Sequence, residues 1–274
     1  MKRLKNLFEL YINSSVHTGI AVVCFTLVTF LEFGIKIDHN LLGFIFFGTI
    51  TSYNFVKYAS VARLHHSSLA GNLKIIQVFS FFCFVALLWF TLKQDYKTLF
   101  ASSILGMLTL LYATPVLRGH QNLRNIAGVK VFVIAITATG TGVLLPLLHQ
   151  YDVSFQDKFL AIFQRILIHV VLMLPFEIRD LRFDDPSLKT IPQLLGVKNT
   201  KLFGVVLMVL AVSISFFRTN IGHHSLIGLS IFSIVVVLML WASRIKQKPF
   251  YAAFWVEAAP IFWVLILVIL NVIF

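Results

Sequence analysis

The carboxylates are the residues of this sequence best placed to do chemistry. Only eleven occur in 274 positions, and four of them, Glu177, Asp180, Asp184 and Asp185, fall within nine residues. On a helix advancing about 100° per residue, Glu177, Asp180 and Asp184 lie within about 60° of one another, while Arg179 and Arg182 point away. Like charges gathered on one face raise the free energy unless a cation neutralises them, and oxygen ligands of this kind hold hard divalent ions such as Mg²⁺. The competing reading is a solvated helix end on which Arg179 and Arg182 make local surface pairs.

The elements that position these residues follow from composition. The chain is 58% hydrophobic, contains 28 Phe and is only 12% charged. A soluble domain carries about a quarter charged residues, and a disordered chain lacks this much apolar side chain. Nine stretches of the length needed to cross a bilayer can be laid down, near residues 15–33, 41–62, 74–92, 97–114, 128–148, 159–178, 201–217, 225–242 and 251–272. No strand-length alternation suggests a barrel, so the reading is an all-α polytopic membrane protein. The spans use nearly the whole chain, which predicts one domain over 1–274. The basic start Met1-Lys2-Arg3-Leu4-Lys5 is followed by no small-residue cleavage pattern, and the first span reads as retained.

Sixteen of the 23 Lys and Arg residues fall at the N-terminus and in every second loop after it, which predicts a cytoplasmic N-terminus and a C-terminus on the opposite side. The same distribution accounts for the net charge of +12 through loops that face anionic membrane lipids, without a nucleic-acid partner. Cys24 and Cys83 lie mid-span without ligand spacing and read as packing residues. His65-His66 and His223-His224 fall on opposite sides of the membrane and cannot share a site. His169 and Glu257 read as interhelical hydrogen bonders, Gly140-Thr141-Gly142 as a close-packing point, and Pro146, Pro175 and Pro260 as kinks.

The segment Glu177-Ile-Arg-Asp180-Leu-Arg-Phe-Asp184, followed by Lys189-Thr190-Ile191-Pro192 and Gly196, resembles the second aspartate-rich motif of the UbiA superfamily of intramembrane prenyltransferases. Tyr112-Ala-Thr-Pro115-Val-Leu-Arg118 similarly resembles the family's Tyr-x-x-Pro-x-x-basic segment. The resemblance implies about nine helices around a central cavity in a bacterial inner membrane. It also implies transfer of an isoprenoid chain from a polyprenyl diphosphate to an aromatic or lipid-like acceptor, with release of diphosphate. By motif match, Glu177, Asp180 and Asp184 would hold Mg²⁺, with Asp180, Asp184 and Tyr112 catalytic and Asn54, Arg118 and Lys189 on the diphosphate.

The first aspartate-rich motif of that family is not present. Its place at the end of span 2 reads Asn54-Phe55-Val56-Lys57-Tyr58-Ala59-Ser60-Val61-Ala62, and no acidic residue occurs between Asp38 and Asp95. Three readings of Lys57 follow. It contacts diphosphate or the facing acidic cluster, with Arg63 and Arg118 beside it; it forms a structural ion pair with span 6; or it snorkels to the interface. The alternative to an enzyme is a catalytically altered UbiA-like protein that binds lipid or acts as a scaffold. A transporter is disfavoured by the absence of an inverted repeat.

Overall fold

The computed structural model describes residues 2–58, 70–115, 122–219 and 221–273. The helices are α1 (Lys2–Asn13), α2 (Val16–Glu32), α3 (His39–Tyr58), α4 (Ala70–Thr91), α5 (Tyr96–Ala113), α6 (Lys130–Thr139), α7 (Leu145–Leu147), α8 (Phe155–Asp180), α9 (Ile191–Ile214), α10 (His223–Ala242) and α11 (Ala259–Ile273). Seven helical stretches are long and apolar enough to cross a membrane, and the bent pair α1–α2 makes an eighth. Helix α3, twenty residues long, lies over the second expected span, 41–62, but is not among these stretches. Thr49, Thr51, Ser52, Asn54 and Lys57 make its C-terminal half polar. The protein is an integral, multi-pass helical membrane protein.

Helix α1 is the element the apolar runs do not announce. It is interrupted from α2 at Ser14-Ser15, where Ser15 takes a left-handed conformation (φ 61°) and the axis turns by 56°. Phe8 anchors it edge-on against Phe250 and Phe254, with ring centroids 5.0 and 5.1 Å apart. Such contacts add to simple area burial because the ring edge is positive and the face negative.

The main core gathers Phe25, Ile168, Val171, Leu174, Phe232 and Trp263 from α2, α8, α10 and α11. Close approach in lipid depends on small residues. The Gly140-Thr141-Gly142 segment supplies them: a Cβ on Gly140 would lie 2.5 Å from Leu105, and one on Gly142 2.5 Å from Phe25. Here the chain forms a π-helical turn (Gly140–Leu144) that leads into Pro146, and a second π turn (Tyr251–Val256) precedes Pro260. In both places the wider turn accommodates a proline that cannot donate to the preceding ladder. Pro175 sits inside α8, which runs unbroken for 26 residues.

The end of the bundle opposite the acidic cluster is tied by buried charge. Glu32, at the end of α2, accepts hydrogen bonds from Arg165 of α8 and from Arg218, which follows α9. The Arg165 guanidinium also lies 3.9 Å from the Trp263 ring centroid. Asp157 receives both the backbone N–H and the hydroxyl of Thr219. These contacts join α2, α8, α9 and α11 around one polar node.

Candidate functional site

Helix α8 carries Glu177 and ends at Asp180, so Asp184 is not on the helix. The chain instead turns tightly, with the N–H groups of Phe183 and Asp184 both donating to the Asp180 carbonyl at 2.8 Å. This i,i+4 closure keeps Asp184 above Glu177. Between them stands a cation the sequence motifs do not contain: Lys130 Nζ is 2.9 Å from Glu177 Oε1 and 3.3 Å from Asp184 Oδ2. The Glu177 side chain is 1% exposed and that of Lys130 12%. Glu177 Oε2 has no hydrogen-bond partner.

Lys130 opens α6, where an ammonium opposes the helix dipole by about 0.3–1 kcal/mol, and the two carboxylates offset that cost. The preceding segment is pinned to the acidic turn by Gly128 N–H donating to the Leu188 carbonyl at 2.9 Å. Gly128 has φ +72°, a conformation that favours glycine.

Asp180 faces another partner. Arg179 folds back on it with Nε–Oδ1 2.7 Å and Nη2–Oδ2 3.1 Å, a bidentate pair between neighbours. The helical reading pointed Arg179 away. The guanidinium stem is long enough to return, and the local surface pair is what forms. Asp185 caps the 3₁₀ turn Pro186–Leu188, and hydrogen bonds from Ser187 hold its carboxyl below the usual carboxylate range. Among the described residues no group of three His, Cys, Asp or Glu side chains converges in a form able to hold a metal ion. As arranged, the acidic turn is neutralised by Lys130 and Arg179 and does not fit a divalent cation.

Tyr112, at the end of α5, is buried and lies in the electrostatic field of Arg124, Lys130, Glu177 and Asp184. A cavity of about 10 Å³ adjoins them, lined by Arg124, Gly128, Lys130, Glu177, Leu188 and Thr190 among others. That is room for one water. A larger apolar groove, about 270 Å³, runs between α1 and α4 along Leu7, Leu10, Tyr11, Ile75 and Phe79.

No family model and no curated protein matches this sequence. Solved structures do match in shape. An apo structure of a UbiA homologue from Aeropyrum pernix K1 superposes with a TM-score of 0.64 over 92% of this chain and 97% of that one, at 14% identity. A structure reported for the biosynthesis of digeranylgeranylglyceryl phosphate synthase in membranes gives 0.58 over the whole of both chains, at 15% identity. The chain has the UbiA fold.

Within the UbiA fold, Asn54 and Lys57 occupy the end of α3 where the resemblance puts the first aspartate-rich motif. Asn54 is buried and donates to the Ser14 carbonyl at 3.0 Å and to Ser80 Oγ at 2.8 Å. Lys57 Nζ donates to the Ile12 carbonyl at 3.3 Å and to Ser15 Oγ at 3.0 Å. It makes no ion pair with α8 among the described residues. Helix α1 and the Ser14-Ser15 break that follows it supply the oxygens that the facing-cluster reading assigns to α8. Near Lys57, Glu257 accepts from Thr18 Oγ1 at 2.6 Å, the interhelical hydrogen bond expected of it. His169 Nδ1 lies 3.2 Å from Thr139 Oγ1, likewise between helices. Lys189 is exposed at the end of the 3₁₀ turn with φ 44°. Arg118, Arg63, His65 and His66 lie outside the described residues.

Lys130 and Arg124 are the site residues that sequence reasoning missed. The signal available for Lys130 was its position in the opening turn of a span, one basic residue among sixteen. The separation of 47 positions from Glu177 gave no pairing.

Proposed function

We propose that this chain is a divergent member of the UbiA superfamily and acts on a polyprenyl diphosphate, transferring its isoprenoid chain to a hydrophobic acceptor. The observation that carries the reading is the buried Lys130–Glu177 pair, with Asp184, Tyr112 and Arg124 around it, at the end of a UbiA-type bundle. Both proteins whose structures it resembles are described in terms of this fold or of a lipid-phosphate synthase.

In the proposed reaction the bond between the allylic carbon and the diphosphate oxygen breaks and its electron pair leaves with the diphosphate. A nucleophilic carbon or oxygen of the acceptor takes the carbon, and its proton is lost. The chain's contribution is electrostatic: cations fixed beforehand stabilise the negative charge that grows on the leaving group. Lys130 and Arg124, with Lys189 and Arg118 from the matched motifs, supply that charge. The Tyr112 hydroxyl orients the headgroup, and the isoprenoid tail lies among apolar helix faces that exclude water. Asn54 and Lys57 hold the α1–α2 corner at the mouth of the site. A diphosphate needs more space than one water occupies, so the segment 122–129 must move away from the acidic turn when the headgroup enters. The sixteen basic residues support a cytoplasmic placement of this end of the bundle in a bacterial inner membrane.

Purified protein in lipid nanodiscs, given a panel of radiolabelled allylic diphosphates with phenolic and alcohol acceptors, should release diphosphate and form a prenylated product. Tyr112→Phe should lower turnover by about a hundred- to a thousandfold, the range for one transition-state hydrogen-bond donor. Saturable binding of the diphosphate lipids without turnover in any combination would reject the enzyme reading in favour of a lipid-binding protein.

A further inference from the structure

We infer that Lys130 is the resident cation of this site, taking the place of a divalent metal, so that a diphosphate headgroup binds without one. The inference rests on the proposed diphosphate substrate only for its second half; the first half concerns the chain alone.

Three observations combine. The Lys130 ammonium sits between the two carboxylates, within 3.3 Å of both, and occupies the oxygens that would have to hold a cation here. The third carboxylate, Asp180, has both oxygens engaged by Arg179. No acidic residue stands on the facing helix α3, whose end carries Asn54 and Lys57 instead. A metal entering here would need to displace a buried ammonium and would find two carboxylates rather than the larger oxygen shell that hard cations require. Glu177, whose Oε2 has no hydrogen-bond partner, lines the small cavity together with Lys130 and Arg124. The cavity is therefore polar and cationic on one wall.

The lysine does what a metal would do electrostatically, but it can also move. Its four-carbon stem allows Nζ to turn from Glu177 and Asp184 toward an incoming phosphate oxygen, while the carboxylates still hold its charge nearby. Arg124 then provides a planar donor set on the other side. In this arrangement the carboxylates position the cation and do not touch the headgroup.

The first measurement uses Mn²⁺ alone as the probe, followed by electron paramagnetic resonance on the full chain in nanodiscs. Wild type should bind no stoichiometric Mn²⁺, whereas Lys130→Met, which frees Glu177 and Asp184, should gain binding by about tenfold or more, and Lys130→Arg should not. Stoichiometric Mn²⁺ on wild type, lost in Glu177→Gln, would overturn the inference. So would a folded Lys130→Met that stays blind to Mn²⁺. The second measurement needs no variant: binding of tritiated geranylgeranyl diphosphate to wild type in Mg²⁺ and in excess chelator. The two affinities should agree within about twofold, and a drop of about tenfold in chelator would overturn metal independence. Absence of binding under both conditions would instead reject the proposed substrate, leaving the Mn²⁺ result to judge Lys130.

Discussion

Glu32 Oε1 accepts a hydrogen bond from Arg218 Nη1 at 2.8 Å, joining residues 186 positions apart in a fully buried pair. Its other oxygen takes Arg165, so one carboxylate compensates two guanidinium groups whose side chains are each about 1% exposed. Removing one member of a buried ionic cluster leaves the others uncompensated, at a cost of about 3–5 kcal/mol. Glu32→Gln should therefore lower the thermal midpoint in detergent far more than Arg218→Met, which leaves the Arg165–Glu32 pair intact. Equal small shifts for the two variants would mean that water reaches the node and carries the charge.

Packing at the π turn gives a second expectation. A Cβ added to Gly142 would lie 2.5 Å from Phe25 Cδ1, and Phe25 is 1% exposed, so the ring has nowhere to turn. Overpacking of a filled core costs about 1–3 kcal/mol. Gly142→Ala should destabilise by that amount, and the loss should shrink in the Phe25→Leu background because the two changes share one volume. Additive losses in the double-mutant cycle would count against the contact.

Much of this architecture is legible in the sequence because span formation depends on local composition. Runs such as 225–242 and 251–272 have no alternative to a membrane helix, and most helices fall within a few residues of the expected stretches, whereas α9 begins at Ile191, well before the expected 201. Gly142 and Glu257 were readable for a related reason: a small residue or a lone carboxylate among apolar neighbours has few stable uses in lipid. What the sequence hides is pairing. Lys130 and Glu177, or Glu32 and Arg218, meet only after the helices pack, and charge on one of them says nothing of its partner. Helix α1 was hidden differently. Its polar face made Lys2–Asn13 resemble a basic leader to the first span, and the left-handed Ser15 that folds it under the bundle has no composition signal. Because of that fold, Lys57 serves the α1–α2 corner rather than the acidic turn.

Asp95 sets an acid limit on stability at the other end of the bundle. It caps α5, accepting from the N–H groups of Lys97 and Thr98 and from the Thr98 hydroxyl at 2.7 Å, with His149 Nε2 at 2.9 Å. Burial pushes its carboxyl up, but the Thr98 and Lys97 hydrogen bonds and the His149 charge outweigh that and bring it down to about 2. The unfolded value is about 3.9, so the lowered folded value contributes stability that is complete above about pH 4 and is lost as pH falls toward 2. Asp95→Asn keeps a capping side chain but removes the titration. Thermal midpoints of wild type and variant measured from pH 6 to pH 2 should converge as the pH drops. A constant offset across that range would show that the carboxylate charge is not what the cap uses.

Lys189 joins backbone strain to the proposed headgroup contact. It holds φ 44° at the end of the Pro186–Leu188 turn, a left-handed conformation that costs a side-chain-bearing residue about 1–2 kcal/mol relative to glycine. The turn that imposes this conformation is fixed by Asp185 from one side and by the Gly128 N–H on Leu188 from the other. A lysine kept where glycine fits better is the pattern expected when the side chain has a use and the surrounding contacts hold it in place. Lys189→Gly should therefore raise or preserve the thermal midpoint while weakening geranylgeranyl diphosphate binding by about three- to tenfold, the loss of one exposed charge contact. Lys189→Gln, which keeps the strain, should weaken binding equally without the gain in stability. If both variants bind the diphosphate as wild type does, Lys189 has no part in the headgroup site, and the motif match that assigned it there fails at this position.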